Sequence, residues 1–258
     1  MPELGVSEEM LTPLADGKEK QAFIITDRPE KVLLRWKDEK YKGPEFAISV
    51  YYLQKIFHML RPDNFIDIDY PDNGGIVVDK VPSTPDFQKA VDIQQRVYVP
   101  NEGEVGNDDW CKAKQKEMSE TGEYQEVAKL IEKLMVPNDN DWGTIELAKP
   151  GNSTFIDGHP MIVDIFNPIN EGMIEGVYPL RRASLKIDVL KGVVEEYVIQ
   201  GRITTQQAEQ INSFSERYQQ NVLKLIDNLS GKNAIAPDMG YTTLAELPAD
   251  LAETVAPW

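Results

Sequence analysis

The chain has 258 residues, with 27 Lys and Arg against 43 Asp and Glu and a formal net charge of -16. With 41% hydrophobic residues it can bury a real core, either as one large domain or as two small lobes. The acidic balance excludes a general nucleic-acid binder, which needs a basic footprint, and no apolar run reaches the roughly 18 residues that a membrane helix requires. Cys111 is the only cysteine, which leaves no intrachain disulfide and no cysteine metal cluster. His58 and His159 are the only histidines, and this argues against zinc or histidine-based chemistry. The first ten residues are acidic and hold no apolar signal core. These features point to the cytoplasm, although a protein exported without a signal peptide would share them.

Residues 1–10 read as loose. Alternation and turn residues predict strands over 11–14, 22–25 and 32–36, with turns at 16–20 and at Arg28-Pro29-Glu30. A helix is predicted over 45–60, where Phe46, Val50, Leu53, Phe57 and Leu60 form one apolar stripe between Pro44 and Pro62. Glu45 is its only acid, in the first turn that the helix dipole favours. His58 falls off the stripe and reads as a surface or packing residue. Strands at 65–69 and 76–78 flank the turn around Gly74-Gly75 and lead into Asp79-Lys80-Val81. A short helix is expected over 86–97. Residues 100–122 are polar and irregular and read as an inserted loop, with Trp110 and Cys111 as anchors. Residues 123–134 are amphipathic, with Val127, Leu130, Ile131 and Leu134 on one face. The acidic loop at 137–141 lacks the glycine and terminal glutamate of a calcium-binding EF-hand.

Residues 144–168 carry the most information. They read as three short strands, at 144–147, 154–156 and 161–163. Lys149-Pro150-Gly151-Asn152 breaks the chain after the first, and Asp157-Gly158 is a hairpin turn signal after the second. This layout brings Asn152 and Asp164 to the same end of a small hairpin. Two oxygen ligands at the mouth of a rigid element suit Mg²⁺, which fills its shell with phosphate and water. An ordinary hairpin with polar ends would show the same residues. Downstream, a helix is expected over 185–200, closed by Gly201. Thr204 and Gln207 then form a capping-box pattern that opens a last helix. Ala208, Ile211, Ser215, Tyr218, Val222, Leu225 and Leu229 give that helix a narrow seam, read as packing on its own domain in preference to a coiled-coil dimer. Residues 231–258 read as a tail.

Lys149-Pro150-Gly151-Asn152, followed by strand, turn, strand and Asp164-Ile165-Phe166, resembles the active-site stretch of the protein-kinase-like superfamily, and most of all its aminoglycoside- and choline-kinase branch. The resemblance implies an α+β, two-lobed fold. Residues 1–82 would form an antiparallel N-lobe sheet with one helix, residues 83–230 a mostly helical C-lobe holding the hairpin stretch 144–168, and residues 231–258 a C-terminal tail. It also implies ATP and Mg²⁺ as ligands, with the metal on Asn152 and Asp164, twelve positions apart. The nucleotide would lie between the lobes. Gly17 and Lys18 would cover its phosphates, and the backbone of Asp79 to Val81 would meet the base. Val32-Leu33-Leu34-Arg35 stands where the family has a strand ending in lysine, which puts Arg35 near the phosphates and Glu45 in the place of its helix partner. Two features depart from the family pattern. Arginine replaces lysine, a planar fork in place of a point charge. Five positions before Asn152, where the family has its catalytic aspartate, stands Leu147, with Glu146 beside it as a possible base.

Two functions follow as expectations: a pseudokinase-like nucleotide-binding or scaffold protein with a possible protein partner, or an active ATP-dependent phosphotransferase. An unrelated α+β binding domain is the third reading.

Overall fold

The structure is a computed structural model that describes residues 6–16, 20–37, 44–70, 75–82, 84–86, 88–90, 109–135, 147–148, 150–163 and 185–230. The chain has the α+β arrangement expected, an antiparallel N-terminal sheet with one helix followed by a mostly helical part that holds a β-hairpin. Strands β1 (Leu11–Asp16), β2 (Lys20–Ile25), β3 (Arg28–Trp36), β4 (Ile68–Asp69) and β5 (Gly75–Asp79) form one sheet in the order β1-β2-β3-β5-β4. Every neighbouring pair is antiparallel. Helix α1 (Pro44–Leu60) lies between β3 and β4 in sequence.

The turn between β2 and β3 is at Thr26–Asp27, so Arg28-Pro29-Glu30 belongs to the strand and not to the turn expected there. The ladder explains why proline is tolerated. Pairing jumps from Ile24↔Val32 to Ile25↔Arg28, and Pro29 falls in the irregular stretch between them, where no ladder hydrogen bond is lost.

Strand alternation divides the sheet into two faces. On the inner face Val32, Leu34, Trp36, Ile76 and Val78 pack in the main core with α1. On the outer face Leu33, Val77 and Ile25 form a smaller cluster, which Val6 covers from the N-terminal segment. A 3-10 turn, Glu8–Met10, holds that segment down, and the Met10 carbonyl accepts from the Thr26 amide and hydroxyl.

Helix α1 is buried on almost every side, from Phe46 to Leu60. Trp36 meets Phe46 edge-on with centroids 5.0 Å apart, and Phe57 meets Phe65 at 5.1 Å. The side of α1 turned away from the sheet is covered by the last helix, where Phe214 lies against Tyr51 and Tyr52 at 6.0 and 5.5 Å. A helix buried on both sides is apolar nearly all round, so its stripe is wider than the one the spacing predicts.

Residues 109–120 form helix α2 (Asp109–Glu120), which corrects the irregular loop expected at 100–122; residues 100–108 lie outside the described residues. The helix buries only Cys111 and Met118, two turns apart, too sparse a pattern to read as a stripe. Charge pairs contribute to its outer surface, with Lys114 reaching Glu117 and Asp86 and Lys116 reaching Glu120. Helix α3 (Gly122–Leu134) buries Tyr124, Val127, Leu130, Ile131 and Leu134. Of the helix expected over 86–97, residues 85–86 and 88–90 are helical and the rest lies outside the described residues.

Helix α4 (Ile187–Ile199) closes as expected at Gly201, which takes φ 68°. The amides of Gly201 and Arg202 reach back to the carbonyls of Val198 and Tyr197, a Schellman closure that satisfies the last carbonyls. Helix α5 (Thr205–Ser230) opens with the expected capping box. The Gln207 amide donates to the Thr204 hydroxyl at 3.2 Å, and the Thr204 amide to the Gln207 side chain at 2.9 Å. Its seam packs on α1, with Ala208, Ile211, Ser215 and Tyr218 buried. Among the described residues no helix is long and apolar enough to cross a membrane.

Candidate functional site

The hairpin is β6 (Ser153–Ile156) and β7 (His159–Ile162), joined by a two-residue turn. Asp157 takes φ 51° and Gly158 φ 86°, the left-handed pair of a type I′ turn, whose twist matches the strands it joins. Gly151, at φ 95°, turns the chain just before Asn152. The Ser153↔Ile162 pairing leaves Asn152 facing Val163, and the Val163 amide donates to the Asn152 carbonyl at 2.8 Å. Asp164 is the next residue in the chain and lies outside the described residues. The strand expected over 144–147 is described only at Leu147, which is helical; Glu146 lies outside.

The hairpin is seated on the segment that follows α1. Ile162 donates to the Asn64 carbonyl at 2.8 Å, and Ile66 donates to the Ile162 carbonyl at 3.2 Å. The Asn64 side chain also donates to the Pro160 carbonyl at 3.0 Å. A second tether joins α3. Glu123 accepts from the Asn64 side chain at 2.8 Å and lies 3.0 Å from His159 Nδ1. Partial burial opposes ionisation of Glu123, but the Asn64 and His159 hydrogen bonds outweigh it and hold its carboxyl below the usual range. The same hydrogen bond raises the His159 imidazole above its ordinary value. This tether was not visible in the sequence, because its three residues are far apart in the chain and belong to no motif.

Asp79 ends β5 on the exposed side, paired with Lys31 at 2.7 Å. Lys80 donates to the Glu30 carbonyl at 2.7 Å, and Val81 packs against the main core. The chain then reaches the hairpin, where the Thr84 and Thr154 hydroxyls lie 3.4 Å apart. The chain leaving β5 thus comes within hydroxyl contact of the hairpin at Thr84.

Arg35 does not lie on that face. The register Leu33↔Val77, Leu34↔Ile76, Arg35↔Gly75 puts it with Leu33 on the outer side. There its guanidinium pairs with Glu8 at 2.6 Å and lies over the Phe23 ring at 5.5 Å. The Arg35–Glu45 pair expected from the resemblance is thereby corrected: alternation turns Arg35 away from α1, and Glu8 takes its charge. Glu45 is in the first turn of α1, its carbonyl accepting from the Ser49 hydroxyl at 2.8 Å. Where the family resemblance implies a lysine–glutamate pair, β3 and α1 meet through Trp36 and Phe46. Gly17 and Lys18 lie outside the described residues.

A chain of alternating charges, also unforeseen, runs along the β4 edge. Lys31 reaches Asp69 at 3.3 Å, and Lys55 of α1 reaches Asp67 at 2.6 Å and Asp69 at 3.8 Å. Burial opposes ionisation of Asp67, yet the Lys55 hydrogen bond holds it below the usual carboxylate range. Burial, reinforced by the charge of Asp69, pushes the Tyr51 phenol up to about 12. His58 Nδ1 lies 2.7 Å from the Phe65 carbonyl, which makes it a packing residue as read from the sequence.

Among the described residues no group of three His, Cys, Asp or Glu is placed to hold a metal ion.

No protein-family model matches the sequence, and no curated protein matches it. Among solved structures, the streptomycin–ATP ternary complex of APH(2'')-IIa is 12% identical, with a TM-score of 0.25, covering 96% of this chain and 93% of that one. The ADP-bound aminoglycoside phosphotransferase APH(2'')-Ib is 10% identical, with a TM-score of 0.27, covering 97% and 93%. Similarity this low carries no inference about ligand or activity, and the functional reading rests on the order of the elements and the residues they bring together.

Proposed function

We propose that this chain is a kinase-like protein that binds a nucleotide between the sheet and the hairpin, with weak or absent phosphotransfer. The observation that carries the reading is the seating of the hairpin. Its strands dock on the segment after α1 and meet the chain leaving β5 at the Thr84–Thr154 contact. An adenine ring would pack against the partly buried Ala22 and Leu34 of the inner sheet face and against Val81, which border the main core. The backbone of Asp79 to Val81 would meet the base through its carbonyls and the Val81 amide, since the amides of Asp79 and Lys80 already donate to the Asp67 and Glu30 carbonyls. Asn152 and Asp164 would hold Mg²⁺, which neutralises phosphate charge when bound, and Gly17 and Lys18 would cover the phosphates.

The expected weakness in catalysis has two supports. Leu147 stands where the resemblance implies a catalytic aspartate and cannot accept a proton, which leaves the neighbouring Glu146 as the candidate base. On the inner face β3 presents Val32, Leu34 and Trp36, all apolar. Titration calorimetry with ATP, with and without Mg²⁺, tests the reading. Saturable binding strengthened by Mg²⁺ and weakened in Asp164→Asn is expected, with turnover close to background. Absence of heat at millimolar ATP would leave a partner-binding scaffold. Brisk turnover abolished by Glu146→Gln would make the protein an active enzyme with Glu146 as its base.

A further inference from the structure

We propose that the outer face of the sheet is a docking groove for a short acidic peptide segment of a partner protein, an apolar residue followed two positions later by a carboxylate, and that residues 6–10 of the chain itself fill the groove until such a partner displaces them. The floor is rigid. Ile25, Leu33 and Val77 are buried together, and the ladder that pairs Leu33 with both Phe23 and Val77 fixes their spacing. Arg35 stands beside them with its guanidinium over the Phe23 ring at 5.5 Å, which steadies the fork. An apolar pocket therefore lies next to paired donors suited to one carboxylate.

The segment in the groove shows what the groove recognises. Val6 packs with the apolar floor. Glu8 meets both arms of the Arg35 fork, at 2.6 and 3.0 Å, the two-point grip that arginine gives a carboxylate. The Arg35 hydrogen bond also holds the Glu8 carboxyl below the usual carboxylate range, so the fork is matched to an ionised acid. The Met10 amide donates to the Ser7 carbonyl at 3.0 Å, and this turn brings the Met10 carbonyl to the Thr26 amide and hydroxyl at 2.8 and 2.9 Å. Apolar contact, charge and backbone are each read once, as in the recognition of linear peptides by other grooves.

The filling is held less firmly than the floor. Ser7, Glu8 and Glu9 are exposed, and the Glu8 side chain is 76% exposed, so its ion pair stabilises little. The anchorage then rests mainly on Val6 and on the Met10 carbonyl, which puts the segment among the first parts of the chain to open. An empty groove would uncover three apolar sheet residues and remove the acid that pairs with Arg35. Exchange for an equivalent segment avoids both costs.

The probe is a fluorescein-labelled peptide with the sequence of residues 6–12, together with a second peptide carrying Glu8→Gln. Anisotropy is measured on the full natural chain, on the full chain with Val6→Ser and Glu8→Ala, which loosens its own segment, and on the loosened chain with Arg35→Ala added. Saturable binding to the loosened chain is expected, with binding about tenfold weaker in the natural chain, where its own segment competes. Arg35→Ala, or the Glu8→Gln peptide, should weaken binding about tenfold to a hundredfold, the effect of losing a charge-assisted hydrogen bond. Thermal melting checks that each chain is folded. If the loosened chain is not, amide NMR of the labelled natural chain with millimolar peptide serves, and shifts at Thr26, Leu33, Arg35 and Val77 are expected. Equal binding to natural and loosened chains, indifference to Arg35 and to the peptide's glutamate, or no binding at all overturns the proposal. Sedimentation of the natural chain as a dimer that Glu8→Ala splits would make a second copy the occupant and overturn the assignment to a separate partner.

Discussion

Gly158 takes φ 86° with open space around the position of a Cβ, so substitution there meets backbone strain and no clash. Gly158→Ala is expected to lower stability by about 1–2 kcal/mol, the cost of a left-handed alanine. Asp157→Asn, also at home in that conformation, should be close to neutral. Chemical denaturation of the two variants checks this, and equal stability of both would mean that the turn is not of type I′. The other hairpin contact with a measurable signature is His159–Glu123. The folded-state imidazole is raised by the Glu123 hydrogen bond, so the stabilisation is complete below the ordinary imidazole value of about 6.5 and fades as pH rises through the folded value. Glu123 works in the opposite direction, its contribution being lost as pH falls through its depressed value. The tether is therefore fully formed in mildly acidic solution. An NMR titration should give His159 a midpoint above 6.5 that drops back in Glu123→Gln, whereas an unchanged midpoint would remove Glu123 as the cause. The turn was legible from Asp157-Gly158 alone, since its chemistry is local. Arg35 was legible as a charge but not as to its face. Alternation reverses a side chain's destination with each residue, and only the packing of α1 decides which phase is inner.

At the scale of elements, α1 is the piece on which the others are placed. The sheet covers one side of it and α5 the other. Ile211 is fully buried in the α5 seam. Ile211→Ala is therefore expected to cost about 2–5 kcal/mol, by lost burial and the cavity left behind. Urea denaturation reads this directly, and a loss below about 1 kcal/mol would mean that α5 is a loosely attached arm. Ends of helices were the most readable part of the sequence. Gly201 and the Thr204–Gln207 box work through bonds within a few residues, so spacing alone identified them. Helix α2 went unread for the complementary reason. Its two buried residues, Cys111 and Met118, are too few to mark a face, and its helical state owes more to charge pairs and to packing against α3 than to a hydrophobic stripe.

For the whole molecule, the order of strands, helix, strands, helices and hairpin was visible because each segment has its own period and punctuation. How the hairpin is seated was not, because that contact joins Asn64 to Ile162 and Thr84 to Thr154, far apart in the chain, through backbone and hydroxyl groups with no sequence signature. Packing of α1 makes the inner face of the sheet distinct from the outer one, and in the proposed function a nucleotide uses the inner. An amide NMR spectrum of the labelled protein, recorded as Mg²⁺-ATP is added, tests it most directly. The account predicts shifts at Ala22, Leu34, Val81 and Thr154, with Phe23, Leu33, Arg35 and Val77 unmoved. Shifts confined to the outer set, or none at saturating nucleotide, would contradict it.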